Sequence, residues 1–160
     1  MRNGKVIFGK AAFFAAVLLA MSAVSAQQVF AQYSREDLQS MYVDFLKSEG
    51  YGPSIDSDGD VNFKVEGNNY YIIVNENDLE FFQIYYGINL STAEERKNAP
   101  AAANYATRST KVVKVYTSSD GQSAVISAEI FMNEPEDFKL VFRRLLRAIS
   151  SARSDFISKL

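Results

Sequence analysis

At about 100° per residue, Phe138, Val141, Phe142, Leu145, Leu146, Ile149, Ala152, Phe156, Ile157 and Leu160 fall on one stripe of a long C-terminal helix, and Arg143, Arg144, Arg147 and Ser151 fall opposite them. An apolar face of that length has to be covered, so the chain must supply a second layer. Lys111–Thr117 and Ala124–Met132 read as two strands of that layer. They are joined through Ser118-Ser119-Asp120-Gly121-Gln122, where Asp-Gly is a strong hairpin signal. Asn133-Glu134-Pro135-Glu136 then opens the helix with a cap, an early proline and acidic residues in the first turn.

Upstream, Ser34 stands as N-cap of a first helix, with Asp37 near its positive end. Leu38, Met41, Tyr42, Phe45 and Leu46 follow at helical spacing, and Gly50 is the stop. From Ile55 the apolar period becomes two. Val61, Phe63 and Val65 lead through a turn at Glu66-Gly67-Asn68-Asn69 into Tyr70–Val74, and Asn75-Glu76-Asn77-Asp78 turns into Leu79–Tyr86. A capping box at Ser91 and Glu94 starts a middle helix. Pro100 is expected to bend or restart it, with Asn98 as the second cap. The fold class expected is α+β in the order α-β-β-β-α-β-β-α, with a five-stranded antiparallel sheet packed on an N-terminal and a long C-terminal helix.

The N-terminus reads as an export signal. Arg2, Lys5 and Lys10 precede an apolar run from Ala11 to Met21, and Ala23-Val24-Ser25-Ala26 offers a small-residue cleavage site; Val29-Phe30-Ala31 offers another. The uncharged stretch from Ala11 to Ala26 is shorter than the roughly 20 residues of a spanning helix. Residues 1–26 are thus expected to be a cleaved signal, 27–33 a disordered lead-in and 34–160 a single domain. The protein is expected to be exported, to a periplasm or beyond the cell, with no membrane attachment after cleavage.

The chain has no cysteine and no histidine. These absences exclude zinc sites of the nitrogen/sulfur kind, Cys–His and Ser–His nucleophile pairs, and imidazole acid–base catalysis. The net charge is −2, and it becomes more negative once the three basic residues leave with the signal, which argues against a phosphate-backbone partner. Asp56-Ser57-Asp58-Gly59-Asp60-Val61-Asn62 places oxygen side chains at alternate positions, as a calcium loop does. Its glycine stands at position 4 where an EF-hand needs it at 6, and position 12 is Gly67, so a turn into a strand is the reading. Asp78, Glu80, Glu94, Glu95 and Glu129 show no spacing that argues for paired-carboxylate chemistry. Arg143, Arg144 and Arg147 read as a solvated face near the helix C-terminus, with an anionic partner as the other reading. Leu140 stands near the middle of that polar face. No catalytic residue, metal or cofactor is expected.

Asn104-Tyr105-Ala106-Thr107-Arg108-Ser109-Thr110-Lys111-Val112, the Asp120-Gly121 hairpin, and Ile130-Phe131 leading to Phe138, Phe142, Leu145 and Leu146 resemble the YbjN-type bacterial sensory transduction regulators. Gly50-Tyr51 and Asp58-Gly59-Asp60-Val61-Asn62-Phe63 are similar to them too. The resemblance covers about Arg35 to Leu160. It implies the fold shared with type III secretion chaperones, in a non-enzymatic domain that binds protein segments or dimerises. It transfers no individual residue role, and the export signal departs from the cytosolic setting of secretion chaperones.

Both faces of Tyr70–Tyr86 are apolar or aromatic, unlike a sheet with one face in water, so either loops or the middle helix cover the second face or it is a partner-binding or dimerising surface. The leading expectation is therefore a binding module that recognises a polypeptide, or a second copy of itself, through an aromatic surface of Tyr71, Phe81, Phe82, Tyr85 and Phe131. The alternative is a small-molecule or lipid carrier with an apolar cavity between sheet and helices.

Overall fold

A computed structural model describes residues 33–160; the expected signal, both candidate cleavage sites and the expected lead-in up to Gln32 lie outside the described residues. Helix α1 (Arg35–Ser48) starts where the sequence places it, since Ser34 accepts from the Asp37 amide at 3.2 Å and Asp37 accepts from the Ser34 amide at 3.0 Å. It ends in a Schellman turn. Gly50, at φ +87°, lets Tyr51 N–H reach the Leu46 carbonyl at 2.9 Å while its own N–H bonds Lys47 at 3.0 Å. Tyr33, expected in the lead-in, instead packs against the core and donates its hydroxyl to Glu136.

The sheet has six strands where five are expected. A two-residue strand β1 (Ser54–Ile55) pairs antiparallel with β2 (Val61–Val65), which pairs with β3 (Asn68–Ile72). Two residues are too few to carry a period, so β1 left no mark in the sequence pattern. The β2–β3 turn is also tighter than expected. Glu66 and Gly67, at φ +50° and +82°, make it alone, and Asn68 and Asn69 pair with Val65 and Lys64. Strands β4 (Phe81–Asn89), β5 (Val113–Thr117) and β6 (Ser123–Phe131) complete the antiparallel sheet in the order β1-β2-β3-β4-β6-β5.

Helix α2 (Ala93–Ser109) connects β4 to β5. Its capping box is one residue later than expected: the wording Ser/Thr-x-x-Glu occurs in two registers, and Thr92 with Glu95 forms the pair. Glu95 then also accepts the Ser91 amide at 2.7 Å. The helix runs through Pro100 without a restart. Pro100 lies on the exposed side, where water can satisfy the carbonyl its missing N–H leaves, while Ala99, Ala102, Ala103 and Ala106 are buried. Asn98 is no cap; its amide donates to the Leu160 carbonyl at 2.7 Å. Thr107 Oγ1 accepts the outward N–H of Val115 at 2.8 Å, so α2 occupies part of the edge that β5 would otherwise expose.

After a 3-10 turn at Pro135–Asp137, helix α3 (Phe138–Ile157) lays Phe138, Phe142, Leu145, Ile149, Ala152 and Phe156 on the sheet. All three helices share one core with the same face of the sheet, built from Val61, Phe63, Tyr70, Ile72, Phe82, Ile84, Tyr86, Ile126 and Ala128 among others. The other sheet face is left without a helix among the described residues.

The Asp56–Asp60 turn is held against α1, where Arg35 donates to the Asp58 carbonyl at 2.9 Å and Gln39 to the Gly59 carbonyl at 2.8 Å. Gly59 has φ +87°, and a Cβ there would stand 2.3 Å from Arg35 Nη1. Gly59→Ala is expected to lower stability by about 1–2 kcal/mol, the cost of a left-handed non-glycine residue, read as an earlier urea midpoint with unchanged slope.

Candidate functional site

The period-two alternation of β3, β4 and β6 puts Tyr71, Phe81, Gln83, Tyr85, Ser127, Glu129 and Phe131 on the helix-free face. Tyr71 and Tyr85 are register partners with rings stacked at 4.9 Å and 12°, and Phe81 and Phe131 are partners at 5.6 Å. Four of the five expected surface aromatics therefore share one face. Phe82 does not. As Phe81's neighbour it must point the other way, and it is fully buried against Tyr42 and Phe138.

Between the two aromatic pairs runs a polar chain. Gln83 Nε2 donates to Ser127 Oγ at 2.9 Å, Ser127 donates to Glu129 at 3.0 Å, and Lys114 from β5 pairs with the other Glu129 oxygen. Ser127 is fully buried yet satisfied in both senses, which holds the Glu129 carboxylate in place on the face. Burial pushes the Tyr85 hydroxyl up to about 12, with Asp60 and Tyr71 adding to it, so it stays a hydrogen-bond donor at neutral pH.

The most exposed large apolar side chains stand at one corner of this face. Phe131 is 82 % exposed and Leu140 of α3 is 79 % exposed, and both line a groove with Ile130, Met132 and Val141. Ile130 and Val141 continue into a second groove that reaches Val112, itself 53 % exposed. Val112 has φ +58°, a strained backbone for a β-branched residue, and Thr110 Oγ1 beside it is buried without a partner among the described residues. Of this corner, Phe131 belongs to the expected surface set, whereas Leu140 shows in the sequence only as a lone apolar side chain on a polar helix face, which is ordinary in itself. Val112, Ile130 and Met132 gave no signal, because their exposure depends on how α3 meets the end of β6.

In the Asp56–Asn62 stretch, Asp56 and Asp60 spend their carboxylates on backbone amides. Asp56 Oδ1 accepts Asp58 and Asp60 N–H at 3.0 Å each, and Asp60 Oδ1 accepts Val74 N–H at 2.9 Å. Among the described residues no group of three or more Asp and Glu is placed to hold a metal ion. Burial first, then Asp56 and Asp58, hold the Asp60 carboxyl above its ordinary 3.8 despite the Val74 bond. A raised acid weakens the fold above its folded pKa, and this penalty is relieved as pH falls through that value toward 3.8. Asp60→Asn is therefore expected to match or exceed the wild type at pH 7, with the gap closing as pH falls through the raised value. Asp60→Ala, which orphans the buried Val74 amide, is expected to cost about 1–3 kcal/mol in urea unfolding.

No family model matches the chain, and no curated protein matches it by sequence. Solved structures do resemble it. YbjN from E. coli, a candidate transcription regulator, superposes with a TM-score of 0.56 at 12% identity, over 71% of this chain and 86% of that one. An uncharacterized protein from Methanothermobacter thermautotrophicus does so with a TM-score of 0.52 at 13% identity, over 76% and 97%. At such identities the likeness is one of fold: the chain has a YbjN-like α+β fold.

Proposed function

We propose that this protein is a non-enzymatic, exported binding module that holds a polypeptide segment on the open sheet face and the apolar corner beside it. The observation that carries the reading is the pairing of Phe131 and Leu140, 82 % and 79 % exposed, across one groove from two different elements. Contiguous apolar surface of this kind mainly serves interaction. Tyr71, Phe81 and Tyr85 extend it over the sheet, and the Gln83–Ser127–Glu129–Lys114 chain supplies polar groups for a peptide backbone.

A polypeptide fits better than a lipid in an internal cavity. Where the carrier reading places its cavity, Phe63, Phe82, Phe138, Phe142 and Phe156 are 0–1 % exposed, with Phe138 and Phe142 in ring contact with several neighbours. A nucleic-acid role, which the description of YbjN invites, sits poorly with a net charge of −2. The test is selection from a displayed random-peptide library followed by calorimetric titration. Saturable binding of peptides rich in aromatic or aliphatic residues is the expected result, and failure to enrich any peptide would count against the reading. Light scattering over a dilution series then tells a second copy, giving a concentration-dependent dimer, from a foreign segment, giving a monomer throughout.

A further inference from the structure

On the opposite side of the molecule from the aromatic face, α3 and the β2–β3 hairpin flank an open cleft of about 370 Å³, the size of a small-molecule site. Along α3, Arg143, Leu146, Arg147, Ser150 and Arg153 recur at spacings of three and four and so share one side of the helix. The hairpin contributes Val65, Glu66, Asn68 and Tyr70, and Tyr51 and Glu49 also line the cleft.

The three arginines are not equivalent. Arg143 is neutralised by Glu49, whose carboxylate accepts its Nε at 2.7 Å. Arg147 and Arg153 have no carboxylate within ion-pair distance among the described residues. Arg153 does not extend into water as a solvated helix-face residue would. Its guanidinium lies 5.5 Å over the Tyr86 ring, and its Nε donates to the Tyr86 hydroxyl at 3.3 Å, which in turn donates to Asn68 at 3.2 Å. One N–H is thus used to orient the group, and the remaining donors of the planar fork are left for something else. Tyr70, only 5 % exposed, also lines this cleft.

We propose that this cleft binds a small organic anion, its acidic head on Arg147 and Arg153 and its apolar body against Leu146 and Val65. A planar, charge-assisted, two-point grip suits a carboxylate or a phosphate equally. Glu66 at the rim opposes the anion, so removing its charge strengthens binding. The site is separate from the polypeptide surface and does not depend on it.

The test is calorimetric titration of the purified protein with benzoate, phenyl phosphate and the neutral benzamide. Saturable binding of benzoate, of phenyl phosphate or of both is expected, and the tighter of the two identifies the head group. Benzamide should bind at least about tenfold more weakly, and Arg147→Ala should weaken the anion about tenfold, the loss of one charge-assisted contact. Glu66→Gln should tighten it. Arg147 is exposed and, unlike Arg153, makes no cation–π contact among the described residues, so its variant reports on binding even where Arg153→Ala lowers the melting temperature by releasing Tyr86. Phe131→Ser, on the other side, should leave anion binding unchanged. Absence of saturable binding by both anions, equal binding of benzamide, or an Arg147→Ala variant that binds as the wild type does would each overturn the proposal.

Discussion

Phe138→Ala is expected to cost about 3–5 kcal/mol, a large share of the 5–15 kcal/mol that a domain of this size has in total. The ring is fully buried where three elements meet. It stands edge-on to Tyr42 and Phe45 of α1 at 4.9 and 4.8 Å, stacks on Phe82 of β4 at 5.3 Å, and meets Phe142 one turn along its own helix. Removing it leaves a cavity lined by side chains from separate elements, which cannot collapse together. The urea midpoint should fall sharply with little change in slope. Leu140→Ala, two residues along the same helix but 79 % exposed, is the control and should move stability by no more than about 0.5 kcal/mol.

Phe131→Ser combined with Leu140→Ser is expected to weaken binding of a selected peptide at least about a hundredfold, since buried apolar anchors at interfaces contribute 2 kcal/mol or more each. Neither side chain contributes much to the core, so the melting temperature should stay within a few degrees of the wild type. Phe82→Ser gives the opposite pattern. Its ring belongs to the Tyr42–Phe138 contact set, and loss of binding there should accompany loss of the fold. A double variant that lost stability as well would mean that Phe131 and Leu140 support the fold rather than the interaction.

Much of this architecture follows from periodicity. The helical stripe from Phe138 to Phe156 meets the sheet as its spacing requires, and alternation alone separates Tyr70, Ile72, Phe82, Ile84 and Tyr86 from Tyr71, Phe81 and Tyr85. Phe82, expected on the surface, obeys that same alternation and lies on the buried side with Ile84 and Tyr86. Other features are invisible to local pattern for physical reasons. The box at Thr92 and Glu95 competes with an identical wording one residue earlier, and only the docked helix decides between them. The path of α2 through Pro100 depends on which side faces water. The Arg153–Tyr86–Asn68 chain joins residues far apart in sequence through the docking of α3 on the sheet, and the groove between Phe131 and Leu140 depends on the same docking. Alternation along the last strand marks Phe131 of that corner, while Leu140 shows only as an isolated leucine on a polar helix face.

If the proposed function holds, a polypeptide docks on the aromatic face and its corner. Methyl chemical-shift mapping of the protein with a selected peptide tests it most directly. The predicted result is perturbation centred on Val112, Ile130, Leu140 and Val141, with the core methyls of Ile72 and Ile126 and the opposite-cleft methyls of Val65 and Leu146 unmoved. Perturbation centred on Val65 and Leu146, or spread evenly through the core, would contradict it.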